Sequence, residues 1–126
     1  MPPARSAGKT LVTIVGNDSE SDDRSLYGTY LAAFTHASNR LWITHAYFAP
    51  NPELLDAMVD ASRRGVDVRL IVPAFTDSRI VLNATQSTFT PLLEAGVKIY
   101  ELKDALLHAK SVVIDGTVAI VGSANL

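Results

Sequence analysis

The chain has no cysteine, which rules out disulfides, thiolate nucleophiles and cysteine-ligated zinc. No apolar run approaches the ~18 residues that cross a bilayer as a helix, and no charged-then-apolar segment opens the chain as a secretory signal would. Excess charge is lacking too: 11 Lys and Arg against 13 Asp and Glu leave a formal net charge of -2. That balance argues against nucleic acid as a partner, although a locally basic groove remains compatible with it. Internal repeats and low-complexity stretches are absent. What is present is 126 residues, 48% of them hydrophobic, enough for one domain with a real core. Residues 1–9 read as a short disordered leader and 10–126 as the domain.

Taken in order, residues 11–16 (LVTIVG) form an apolar β-branched run closed by glycine and predict a strand. A polar loop follows, in which Ser21, Asp22 and Asp23 serve as a helix cap, with a metal site as the sharper alternative. Leu26, Tyr27, Tyr30, Leu31 and Phe34 then make one helical stripe, with His36 near its end, where a cation complements the helix dipole. Residues 40–45 (RLWITH) predict a second strand. His45 leaves it beside Tyr47 and Phe48, and reads as a packed histidine before it reads as a substrate contact. Asn51 is an N-cap, Pro52 the first helical position, Leu54, Leu55, Met58 and Ala61 the apolar stripe, and Gly65 the stop. Residues 66–72 predict a third strand, parallel to the second. Residues 76–95 read as helical with a break or restart at Pro91, and 97–101 as a fourth strand.

The end of the chain is a hairpin: 111–114 and 117–121 flank Asp115-Gly116, a strong signal for a two-residue type I′ turn. That loop would place Lys110 opposite Val121 and His108 opposite Ser123, so that His108, Lys110, Ser123 and Asn125 share one face. Opposed Cβ atoms about 5 Å apart and diagonal ones roughly 7 Å apart could converge on a phosphate. Lys110 brings a charge, Ser123 and Asn125 bring donors, and His108 brings a group that exchanges protons near neutrality. Asp115 lies about 23 Å along the strand from His108 at ~3.3 Å per residue. It reads as the turn former, bonding its local backbone.

His108, Lys110, Asp115, Gly122, Ser123 and Asn125 match, without a gap, the HxKxxxxDxxxxxxGSxN signature of the phospholipase D superfamily. Six specified positions at fixed spacing make a specific match. The stretches AYFAP (46–50), RRGVDVRLIVP (63–73), LLEAGVKIYE (92–101) and LHAKSVVIDG (107–116) resemble the C-terminal catalytic half of bacterial cardiolipin synthases. The element order and this resemblance together imply an α/β fold, a phospholipase D-like sandwich with a mixed sheet flanked by helices and ending in the motif hairpin.

The resemblance also implies a chemistry. Two such halves would share one site, each giving a His, a Lys and a Ser/Asn pair. His108, Lys110 and Asp115 would form the catalytic set, with Lys110, Ser123 and Asn125 holding phosphate oxygens. The substrate would be phosphatidylglycerol, the intermediate a phosphohistidine on the other half, and no cofactor or metal would be required. The partner would be a second motif-bearing half in a parent chain or a second copy, and the parent a cytoplasmic, membrane-associated enzyme. One motif, and an end directly after Asn125, imply a domain truncated at its C-terminal end with little or no synthase activity alone. Three rivals remain: a homodimeric phosphodiesterase or nuclease of the same superfamily, a hydrolytic phospholipase, and a non-enzymatic phosphate-binding module.

Overall fold

A computed structural model describes residues 8–16 and 25–123. Asn125, the proposed cap at 21–23 and most of the expected leader lie outside them. Five strands form one mixed sheet in the order β3-β2-β1-β4-β5: β1 (Arg40–His45), β2 (Asp67–Pro73), β3 (Lys98–Leu102), β4 (Lys110–Ile114) and β5 (Val118–Val121). The first three run parallel, and β4 and β5 are antiparallel to their neighbours. The helices are α1 (Ser25–His36), α2 (Pro52–Arg63), α3 (Arg79–Ser87) and α4 (Phe89–Glu94).

Side chains on a strand alternate between faces, and burial follows that alternation. Leu41, Ile43, Val68, Leu70, Val72, Val112 and Ile114 all face inward. They pack with Tyr30 and Phe34 of α1, Leu54, Met58 and Ala61 of α2, and Leu92 of α4 in one cluster. On the other face Trp42, Ile71 and Tyr100 are 36–48% exposed. There the Asp67 carboxylate accepts from Lys98 Nζ at 2.7 Å, Arg69 Nε at 2.8 Å and Trp42 Nε1 at 3.1 Å.

The helix boundaries have local causes. Asn51 accepts from Leu54 N–H at 3.0 Å ahead of Pro52, an N-cap and first-turn proline as the sequence predicts. Gly65 and Gly96 stop α2 and α4 at φ 92, a conformation that costs glycine little. Pro91 lacks an N–H, and its ring would clash with the carbonyl of Ser87 in a continuous helix. The chain accordingly ends α3 at Ser87 and restarts at Phe89.

Residues 11–16 depart from expectation. They form no strand, and Leu11 and Ile14 are 91% and 92% exposed. A β-branched run is only a propensity; a strand needs an edge to bond to, and this segment pairs with neither β3 nor β5.

Candidate active site

The hairpin's register differs from its predicted one by a single residue. Thr117 N–H does donate to Ile114 O at 3.1 Å, and Asp115 and Gly116 have the positive φ, 53 and 74, that a type I′ turn demands. Ile114 nevertheless pairs with Val118, Val112 with Ile120 and Ser111 with Val121, so Thr117 is an extra residue in the loop. Side-chain burial supplies the reason. This register turns Ile120 toward the core and leaves Val121 80% exposed, where the predicted one would have turned Ala119 and Val121 inward.

Gly122, therefore, sits beside Lys110, its N–H reaching Lys110 O at 3.2 Å. Ser123 is exposed two residues past the last ladder pair, and the pairing does not carry it to the face of Lys110. Hairpin register therefore does not gather Ser123 with His108 and Lys110.

The residues brought to His108 and Lys110 come instead from β1. His45 lies directly opposite Lys110, and Ala46 N–H continues the pairing to Ala109 O at 3.0 Å. The same register sets Tyr47 against His108, and their rings meet edge to face at 6.3 Å and 85°. His45, Tyr47, His108 and Lys110 thus share a face at one end of the sheet.

Burial separates their tasks. His45 is fully buried, as a packed histidine should be, and its Nδ1 is 2.9 Å from Tyr47 O. A carbonyl can only accept, so Nδ1 carries the proton. Lys110 is only 5% exposed. Its Nζ donates to His108 O at 3.3 Å and lies 5.8 Å from the centre of the Tyr47 ring. Among the described residues Lys110 pairs with no carboxylate, the ion pairs being those of Asp67 with Arg69 and Lys98. His108 is exposed and borders a cleft of about 100 Å³ whose walls include Ala46, Tyr47, Pro73, Phe75, Asp77 and Leu107. A nearly buried ammonium lacking a counter-carboxylate, next to a reachable imidazole, suits an anion delivered from solvent.

Asp115 forms the turn as expected, at φ 53, but its side chain reaches beyond the local backbone. Its carboxylate does not bond the turn. It accepts from Asn39 N–H at 2.7 Å, Arg40 N–H at 2.9 Å, Ser38 Oγ at 2.9 Å and Ser38 N–H at 3.2 Å. The Arg40 and Asn39 amides, chiefly, hold its pKa down to about 2. Asp115 therefore pins the hairpin tip to the segment between α1 and β1, at the end of β4 opposite His108.

Sequence reasoning passed over Tyr47, Asp77 and the cleft. Their signal lay in the adjacency of β1 and β4, which no local pattern encodes. The one available hint was an aromatic two residues beyond His45, in the same alternation. Among the described residues no group of His, Asp or Glu converges to hold a metal ion, and no helix is long and apolar enough to cross a membrane.

Residues 30–126 match the protein family described as cardiolipin synthase, PLD-like domain. The chain belongs to the phospholipase D-like family. Among phospholipase D-like relatives it is similar to cardiolipin synthase 1 of Bacillus cereus, 44% identical over 115 residues, 91% of this chain and 23% of that protein. It is also similar to cardiolipin synthase A of Pectobacterium carotovorum, 41% identical over 126 residues, all of this chain and 26% of that protein. The chain spans about a quarter of the length of these relatives. Its fold is that of the phospholipase D family member Nuc from Salmonella typhimurium, with a TM-score of 0.70 at 22% identity over 82% of this chain and 66% of that one.

Proposed function

We propose that this phospholipase D-like domain is one half of a phosphatidyltransferase site that makes cardiolipin from phosphatidylglycerol. The observation that carries the reading is Lys110, nearly buried, without a carboxylate partner among the described residues, and adjacent to an exposed His108 at the mouth of a cleft. The similarity to cardiolipin synthases over the whole chain supports the lipid substrate.

In this scheme Lys110 holds a nonbridging phosphate oxygen and offsets the charge that builds as phosphorus becomes pentacoordinate, while Ser123 and Asn125 join it by the motif resemblance alone, since the β4–β5 register does not bring Ser123 to the face of Lys110. A histidine from a second motif-bearing half, in the same parent or in a second copy, attacks phosphorus. A P–N bond forms, the P–O bond to glycerol breaks, and the departing oxygen takes a proton from the His108 imidazolium. The hydroxyl of a second phosphatidylglycerol then gives its proton to the neutral His108 imidazole and attacks phosphorus, releasing the first histidine. The covalent stage divides a hard displacement into two easier ones. Asp115 contributes by positioning the hairpin, and the parent works at a membrane surface.

The test is a chimera in which this chain replaces the matched quarter of the Bacillus cereus relative. It should convert phosphatidylglycerol vesicles to cardiolipin and free glycerol in equal amounts, quantified by mass spectrometry. Phosphatidic acid as the main product would make the domain hydrolytic. A folded chimera that turns over DNA but no lipid would shift the reading to a nuclease.

A further inference from the structure

We propose that Tyr47 is a positioning residue for this site: its ring fixes the plane of His108 and the head of Lys110, and is itself held at both ends. The proposal rests on the reading of His108 and Lys110 as the phosphoryl-transfer pair. An exposed histidine at a strand end ordinarily swings among rotamers. His108 instead meets the Tyr47 ring at 85° with centroids 6.3 Å apart, the edge-to-face arrangement that aromatic quadrupoles favour. Lys110 Nζ lies 5.8 Å from the same ring centre, within the ~6 Å range over which an ammonium is attracted to an aromatic face. A single ring touches both.

That ring is not free to move. The main chain that carries it is fixed by the Tyr47 carbonyl, which accepts from Nδ1 of the fully buried His45 at 2.9 Å. At the far end its hydroxyl donates to Asp77 Oδ1 at 3.0 Å, and the Thr76 hydroxyl donates to the same oxygen at 3.0 Å. Asp77 lies in the segment joining β2 to α3, so the tyrosine ties the segment after β1 to the segment after β2, and both line the cleft. Proton transfer to a leaving oxygen depends on imidazole orientation, and misplacement by about 1 Å costs on the order of 10²-fold in rate. A ring clamped to two separate elements provides that orientation before substrate arrives.

Two variants separate the ring from the hydroxyl. Tyr47→Phe keeps the aromatic face and loses the bond to Asp77; Tyr47→Leu loses both. In the full chain labelled for NMR, the Hα–Hβ couplings of His108 should report one dominant rotamer in the parent and in Tyr47→Phe, and averaged rotamers in Tyr47→Leu. In the chimera, Tyr47→Leu should lower kcat by on the order of 10-fold with KM unchanged, and Tyr47→Phe should restore most of it at an equal melting temperature. Identical His108 couplings in all three proteins, a loss confined to KM, or a phenylalanine variant as slow as leucine would overturn the proposal. The NMR result needs no turnover, so an inactive chimera would sink the functional reading and still leave the role of Tyr47 decided.

Discussion

Lys110→Met in the chimera should cut cardiolipin formation by about 10²–10³-fold, the usual cost of removing one preorganised stabiliser of transition-state charge, while the protein stays folded. The two halves of that expectation have one cause. Lys110 sits 5% exposed against a carbonyl and an aromatic face, so its charge is poorly compensated until an anion arrives. Methionine fills nearly the same volume and leaves no charge to desolvate, which makes the exchange neutral or stabilising for the fold. Thermal melts and initial rates on the same preparation check both. A structural lysine would give the opposite pair of results: a lowered melting temperature and a preserved rate.

Asp115→Ala carries the second large effect, this time on stability. It strips three backbone amides and the Ser38 hydroxyl of their acceptor and puts alanine at φ 53, a conformation it resists. The midpoint of thermal unfolding should fall by on the order of 5 °C. Asparagine tolerates a positive φ, so Asp115→Asn isolates the charge. The aspartate is held at about 2 against an ordinary 3.8, which means its ionised form favours the folded state. That stabilisation is complete above the ordinary value and is lost as pH falls from about 4 through 2. Asp67, lowered to about 2 chiefly by Lys98, acts over the same window. Melting temperature should therefore drop as pH falls from about 4 to 2, and drop less steeply in Asp115→Asn. Parallel curves for parent and variant would contradict the role given to the clamp.

The parts of the fold that a sequence encodes locally were legible in it. The bounds of β1, the Asn51-Pro52 start of α2, the stops at Gly65 and Gly96 and the break before Pro91 each follow from residues that act on their own neighbours. Residues 11–16 misled because strand formation depends on a free edge, and no residue in that run reports one. The hairpin misled more instructively. Asp-Gly did specify the turn angles, but the ladder beyond it was set by which face Ile120 could bury, so one extra residue entered and moved Ser123 out of phase with Lys110. His108 and Lys110 were found by motif spacing, whereas their actual neighbours, His45 and Tyr47, lie more than sixty positions earlier and meet them only because β1 runs beside β4. Asp115 was read from its turn and not from the amides of Ser38 to Arg40, for the same reason.

The most direct test of the account is the rate of cardiolipin formation by the chimera carrying His108→Ala, measured beside the unmodified chimera at equal folded concentration. If His108 moves the proton to and from the transferring phosphatidyl group, the rate falls by about 10²–10⁴-fold. A rate equal to that of the unmodified chimera would place the chemistry elsewhere.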